Sequence, residues 1–581
     1  MSDRVRTLAG FVRFMEDRDD SDGGGFKRRR RQLQSGGDTE FLDKMRPYMT
    51  NHGGFDLGSF LRSQAASSNI EGMTPLHVAS AFGQLETVKF LVEEKHVDPH
   101  YTGLCGHTPL NTAAMAGHLD IVKYFIEEQK CDPRCQDVTT GRAPIHAACQ
   151  EGNFDMVKYL ISQCNVDPSQ PDKVGILPLH LACGSGNIEV VKYLMRHKNV
   201  DPNSEDMFGD TPLHSASQYG QVDVVKYLVL QKECNCLVRR KIDNCAPIHL
   251  AALTGSLDVV RFLVGGMRCD PKLEDGSGRS PLYAACQGGH LDIIKYLVDE
   301  CAVDPCVKMS GSDITPLHFA ALNGHLDVVH YLVLDKGCDP NCRDKQFDTP
   351  LHNASTNGHL EVVKFLIAEQ KCDPSCKGRS GRSPVYNACQ GGCLELVKYL
   401  VEECKVGVSG TDESGVTPLQ LASGSKNLEL VKYLVAKQCD PHRNDNVAGY
   451  TSLHVACANG SLDIARFLIV EQKCNVLALD WDGNTALHLA ALRGHLDIVK
   501  YLIDEQKCSP MCKGQNGSLP LHAAAQDGHI AVVKYLVENC GVDPHTKNDH
   551  SILPVHMAAG KGQRSCVEYL YSYKPSAGMN I

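Results

Sequence analysis

The chain has 581 residues, 42% of them hydrophobic and 22% charged, with a formal net charge of −10 and an isoelectric point near 6.2. That acidic balance argues against a nucleic-acid footprint, which is normally basic, and aromatics at 6% leave few platforms for base stacking. No apolar run approaches the ~20 residues that span a bilayer, and the opening stretch MSDRVRTLAGFVRFMEDRDD has no apolar signal core, so a cytoplasmic protein with no membrane insertion is expected.

Residues 1–39 are charged, rich in Gly and Asp, and carry the run Lys27, Arg28, Arg29, Arg30, Arg31. Such a segment cannot bury a core and is expected to be a disordered tail. Its basic run reads either as a nuclear-localisation or acidic-partner segment, or as ordinary solvated chain. Residues 40–73 place Leu57, Phe60 and Leu61 at helical spacing, with Gly72 ahead of the first Thr-Pro. They read as a degenerate repeat that caps the apolar end of a stack.

The tetrapeptide Thr74-Pro75-Leu76-His77 is the first of fifteen copies, intact or altered, at intervals of 34 or 35 residues. The copies begin at Thr74, Thr108, Ala143, Leu177, Thr211, Ala246, Ser280, Thr315, Thr349, Ser383, Thr417, Thr451, Thr485, Leu519 and Leu553. A fixed period of this length means stacked supersecondary units rather than one globular core. In the copy from Thr108, the threonine suits a helix N-cap, Pro109 the first helical position and Gly117 a left-handed stop. Glycine holds that last place in every copy except one, where Lys426 stands. A second helix follows, with Leu119, Val122, Phe125 and Ile126 at apolar spacing, and the pair Asp132-Pro133 marks its end. The polar, Gly-containing stretch before the next copy reads as a hairpin-like turn.

The Thr-Pro-Leu-His-x-Ala start, the Gly-His-Leu-Asp-Ile-Val-Lys second helix and the Asp-x-x-Gly loop resemble the ankyrin repeat. The resemblance covers residues 74–573 and implies an all-α repeat solenoid, a curved elongated rod of stacked helix-turn-helix units with hairpin-like loops. Cys-Asp-Pro or Val-Asp-Pro replaces the more usual Gly-Ala and Asp or Asn, which lengthens the loop without changing the stacking. At the far end Lys561, Gln563, Arg564 and Glu568 suit a polar final cap, and residues 574–581 form a short tail.

Repeat position explains most chemistry-bearing side chains. Cys149, Cys183, Cys286, Cys389 and Cys457 share one small-residue place, which reads as buried packing. Cys131/Cys135, Cys338/Cys342, Cys372/Cys376 and Cys508/Cys512 flank the Asp-Pro turn, too far from the next layer to complete a tetrahedral zinc site. No metal, no cofactor and no disulfide scaffold is expected. The histidines His77, His146, His180, His214, His249, His318, His352, His454, His488, His522 and His556 all stand three residues after the cap. There a ring reaches back to the threonine hydroxyl, as the resemblance also implies; Tyr283, Tyr386 and Gln420 replace it. Lysines from Lys89 to Lys534 recur at one second-helix position, mostly with an acid three residues earlier, which reads as a solvated, locally neutral face. The chain contains no phosphate loop, zinc-helix motif or nucleophile elbow, and no enzyme is expected.

Specificity is therefore expected where copies differ. In ankyrin-like stacks the hairpin tips and the last turn of the first helix line the concave face, so the resemblance implies contact with partner proteins there. Read onto this chain, the tips include Arg142, Phe208, Arg279, Phe347, Arg382, Tyr450 and Trp481. The neighbouring helix ends include Tyr219, Gln287, Asn323, Asn357, Gln390 and Arg493. Trp, Tyr and Arg are favoured interface anchors. The expected function is a monomeric protein-interaction scaffold; the alternative is a nuclear or signalling regulator imported through the basic run.

Overall fold

The computed structural model describes residues 74–103 and 106–573. The tail assigned to 1–39 with its run Lys27 to Arg31, the cap assigned to 40–73 and the tail 574–581 lie outside the described residues. Among the described residues every regular element is helical, and none is long and apolar enough to cross a membrane.

The repeat from Thr108 shows how the sequence sets the unit. Thr108 is extended at the N-cap, Pro109 opens the helix Pro109–Met115, and the Thr108 hydroxyl accepts the Asn111 N–H at 3.2 Å. Leu110, Ala113 and Ala114 are buried; Gly117, at φ +81°, ends the helix. The second helix runs Leu119–Lys123 and continues through a widened turn, Tyr124–Glu128, with Ile121, Val122 and Phe125 fully buried. Helices of 5 to 10 residues are marginal alone. They persist because each buried Leu, Ile or Val removes about 1.5–3 kcal/mol of apolar surface from water.

Contacts divide the described residues into two compact units, one ending at Pro281 and the other beginning at Leu282. In the first, first helices pack in succession, Pro75–Ala81 on Pro109–Met115, then Pro144–Gln150, Pro178–Ser185, Pro212–Gln218 and Pro247–Thr254. In the second, the same succession runs from Pro316–Asn323 to Pro554–Gly560.

The expected left-handed stop holds in all fifteen copies, Lys426 included at φ +64°. The end of the second helix differs from expectation. The chain turns two residues before the Asp-Pro, at a left-handed residue that is seldom glycine, as at Lys130 and Lys371, and it turns in the same way without an Asp-Pro at Lys405, Lys473 and Lys507, all five at φ between 57° and 59°. Lys371 and Lys507 fold back so that the ammonium donates to a last-turn carbonyl, Ala368 O and Asp504 O, at 2.6 Å each. A cation at a helix C-terminus offsets part of the backbone penalty.

Gly358 (φ +74°) shows why a side chain is excluded after the first helix: a Cβ there would lie 2.4 Å from Cys393 Sγ of the next repeat. Gly358→Val is expected to destabilise the chain by about 1–3 kcal/mol, combining left-handed strain with this clash. Thermal denaturation checks it; an unchanged midpoint would mean that the stop tolerates a β-branched residue.

Candidate protein-interaction surface

Most hairpin loops are built around one carboxylate. Asp172 accepts the N–H groups of Val174 and Ile176 at 3.0 and 2.8 Å, and Asp412 those of Ser414 and Val416 at 2.9 and 2.8 Å. Neighbouring tips are joined by one backbone hydrogen bond, such as Met207 N to Val174 O at 2.9 Å or Trp481 N to Ala448 O at 2.9 Å. Where Gly378 and Gly514 replace the aspartate, the preceding loop supplies the acceptor: Asp348 Oδ1 takes the Arg379 N–H at 2.9 Å and Asn484 Oδ1 the Gln515 N–H at 3.1 Å. A Cβ at Gly378 would fall 2.1 Å from that Asp348 oxygen.

Behind the tips, the histidine of the first helix joins two repeats. His318 Nδ1 accepts the Thr315 N–H at 3.2 Å and lies 2.8 Å from its hydroxyl, while Nε2 faces the carbonyl of Asp348 at 3.2 Å. An Nδ1 facing an N–H donor must be the acceptor, so the ring proton sits on Nε2 and donates to the next loop. The same bridge recurs at His180 to Asp210 O (3.0 Å), His488 to Ser518 O (3.1 Å) and His522 to Ile552 O (3.1 Å). At Thr74, Thr211, Thr315, Thr349, Thr451 and Thr485 the hydroxyl meets the ring, as expected, while Thr108, Thr417 and again Thr451 accept a first-turn N–H. Gln420 reproduces the bridge with its amide, accepting the Thr417 N–H at 2.7 Å and donating to Tyr450 O at 2.6 Å. Tyr283 spans further, its hydroxyl donating to Val307 O at 2.7 Å. Asn111 is a fourth replacement, buried at the histidine place.

The tip residues divide by what they touch. Arg142 donates to Asp172 at 2.9 Å and to Gln150 at 3.2 Å; Arg382 repeats this with Asp412 at 2.8 Å and Gln390 at 3.4 Å. Arg279 pairs with Asp275 of its own loop at 2.8 Å. These three guanidinium groups brace hairpins. Phe208 is half-buried, and half-buried Tyr450 stacks on His454 with centroids 5.9 Å apart. Asn323 and Asn357 turn their amides to backbone carbonyls, Phe319 O at 2.9 Å and Leu322 O at 2.7 Å. Tyr219, Phe347 and Trp481 are 64%, 62% and 60% exposed, and Arg493 is exposed. Trp481 leans across Gly449, where a Cβ would come within 2.3 Å of its ring.

Two inter-repeat links escaped the sequence reading. The residue after the left-handed glycine reaches back one repeat: His118 Nε2 to Ala81 O (3.1 Å), His359 to Leu322 O (3.0 Å) and Asn427 Nδ2 to Gly392 O (2.8 Å). Second-helix tyrosines donate to an acid of the preceding repeat, as Tyr159 to Glu127 (2.9 Å) and Tyr535 to Asp504 (2.8 Å). Both signals stood in the sequence as recurring His/Asn/Gln and Lys-Tyr positions. The lysine stripe divides in the same way. Lys192, Lys364, Lys398 and Lys432 pair with the glutamate three residues earlier. Lys123, Lys295 and Lys500, whose neighbour is the shorter Asp, lie 5.4–5.5 Å over a tyrosine ring of the next repeat.

The five small-place cysteines are completely buried, and burial holds their thiols well above the usual range. No group of three metal-ligating side chains occurs among the described residues. Among the described residues one disulfide is present, Cys306–Cys338, where reduced thiols were expected throughout.

A family profile described as ankyrin repeats (3 copies) matches residues 76–172, 145–240, 248–344, 351–445, 425–513 and 503–581. The chain belongs to the ankyrin-repeat family. No curated protein matches it. Ankyrin repeats are generally protein-interaction modules and typically non-catalytic.

Burial lowers the basicity of these first-helix rings, to about 4 at His214 and at His146, whose Nε2 is buried without a hydrogen-bond partner, and in the same direction at His77, His180, His249, His318, His352, His454, His488 and His522. Because the folded state holds them neutral, their contribution is complete above the ordinary value near 6.5 and is lost as pH falls toward 4. Asp210, lifted to about 6 by burial and by Asp206 and Asp243 against the pull of Arg240, opposes this over part of the window. Stability against urea is expected to fall steadily from pH 6.5 to 4, by on the order of 3 kcal/mol for each of His146 and His214. A flat profile over that window would contradict the neutral bridge.

Proposed function

We propose that the chain is a non-catalytic scaffold or adaptor, a cytoplasmic monomer that holds partner proteins on its hairpin tips and first-helix ends. The observation that carries this reading is the exposure of Tyr219, Phe347 and Trp481, large side chains at places where the repeat's own bonding does not require them. Interface energy concentrates in a few such anchors, because an aromatic ring buries 150–250 Å² with little rotamer entropy to lose, in round figures about that area per residue. Arg493 adds an exposed cation of the favoured kind, whereas the ion-paired Arg142, Arg279 and Arg382 shape the loops that present the anchors.

The run Lys27 to Arg31 favours a second reading, a nuclear or signalling regulator that masks a transcription factor or kinase. Residues 1–39 fused to a reporter discriminate the two: nuclear accumulation that disappears when the five cations are replaced supports the second, and diffuse cytoplasmic signal supports the first.

Trp481→Ala is expected to weaken at least one partner recovered from cells by about 2 kcal/mol while leaving helical content unchanged. Partner recovery and circular dichroism read the two effects separately. Lost thermal stability with intact binding would assign the indole to its neighbour Gly449 instead.

A further inference from the structure

Two cysteine pairs face each other across repeat boundaries. In the second unit Cys306 and Cys338, 32 residues apart, are bonded, with Cα atoms 5.6 Å apart. In the first unit the sulfurs of Cys236 and Cys269, 33 residues apart, approach to 3.3 Å without a bond. The two pairs occupy adjoining places of the same turn. Cys269 and Cys338 each open a Cys-Asp-Pro turn; their partners sit in the preceding repeat's turn, Cys306 beside Pro305 and Cys236 where other copies have the proline. That contact recurs where no partner sulfur exists: the thiols of Cys372 and Cys234 donate to the carbonyls of Pro340 and Pro202 at 3.8 and 3.9 Å. The repeat thus delivers this cysteine against the previous turn as a matter of geometry.

We propose that Cys236/Cys269 and Cys306/Cys338 are thiol–disulfide staples, one in each unit, which an oxidising disulfide closes and a thiol reductant opens, fastening one repeat to the next. Closing the first needs an approach of about 1.3 Å from 3.3 Å to the bonded distance, within reach of a side-chain rotation. Cys236 is half-buried and Cys269 buried, so Cys236 is the entry point. Its thiolate attacks one sulfur of glutathione disulfide and releases the first glutathione thiolate. Cys269 then gives up its proton and attacks the Cys236 sulfur, expelling the second glutathione. Two protein thiols and one glutathione disulfide become one protein disulfide and two glutathione thiols. Burial and the neighbouring Cys236 push the Cys269 thiol up to about 12, so Cys236 attacks first and the second step relies on the 3.3 Å approach of the two sulfurs. The closed loop encloses both helices Pro247–Thr254 and Leu257–Arg261, so oxidation restrains the opening of that repeat.

The test uses the full chain equilibrated with glutathione, reduced or oxidised, then alkylated and digested without reduction for mass spectrometry. Oxidised samples should yield peptides linking Cys236 to Cys269 and Cys306 to Cys338, and reduced samples should carry alkyl groups on all four. Amide exchange within 237–268 should slow roughly tenfold or more on oxidation in the wild type and ignore redox state in Cys236→Ser. The alkylation pattern needs no variant, so it stands even if that substitution disturbs folding. A lasting glutathione adduct on Cys236, a different partner for either pair, or wild-type exchange indifferent to oxidation would overturn the proposal.

Discussion

A neutral imidazole near the start of most first helices supplies a directional bond from one repeat to the next. His318 shows the arrangement: Nδ1 closes the cap of its own helix on Thr315, and Nε2–H donates to the loop that enters the next repeat. Helices of this length cannot hold themselves, and apolar contact between Leu, Ala and Val faces is non-directional. The ring sets the distance and register at which those faces meet. Its burial makes the bond strong and keeps it uncharged, because an imidazolium there would lose an acceptor and gain a desolvation penalty.

Links on the other surfaces of the repeat run the opposite way. Histidines and asparagines after the left-handed glycine reach back, as His359 does to Leu322, and tyrosine hydroxyls reach back to acids on the second helix. Glycine has a double purpose at Gly324 and Gly494: it adopts a positive φ, and it leaves room for His359 and His529, whose rings would lie 2.2 and 2.4 Å from a Cβ. With most of these polar groups committed to holding repeats together, the side chains exposed at the tips are the ones the proposed scaffold would use.

The period, the helix pairs, the left-handed stops and the buried cysteines were legible because each follows from a local rule repeated fifteen times. Register across repeats was less so. That Gly378 and Gly514 pair with Asp348 and Asn484 of the preceding loop is a relation between residues about thirty apart, visible only once both hairpins are in place. For the same reason Arg142 and Arg382 looked like free anchors. Their acceptors, Asp172 and Asp412, lie 30 residues ahead and at the base of a different loop. Trp481 stands exposed at a tip, and Gly449 gives its ring a seat.

The bridge can be tested by replacing one ring in two ways and following amide exchange repeat by repeat. His318→Gln keeps an acceptor for the Thr315 N–H and a donor for the Asp348 carbonyl, as Gln420 does naturally. His318→Leu keeps the volume and removes both. The account predicts near-normal protection in the glutamine variant, and faster exchange in the leucine variant confined to the repeats beginning at Thr315 and Thr349. Equal protection in the two variants, or a loss spread evenly over the chain, would contradict it.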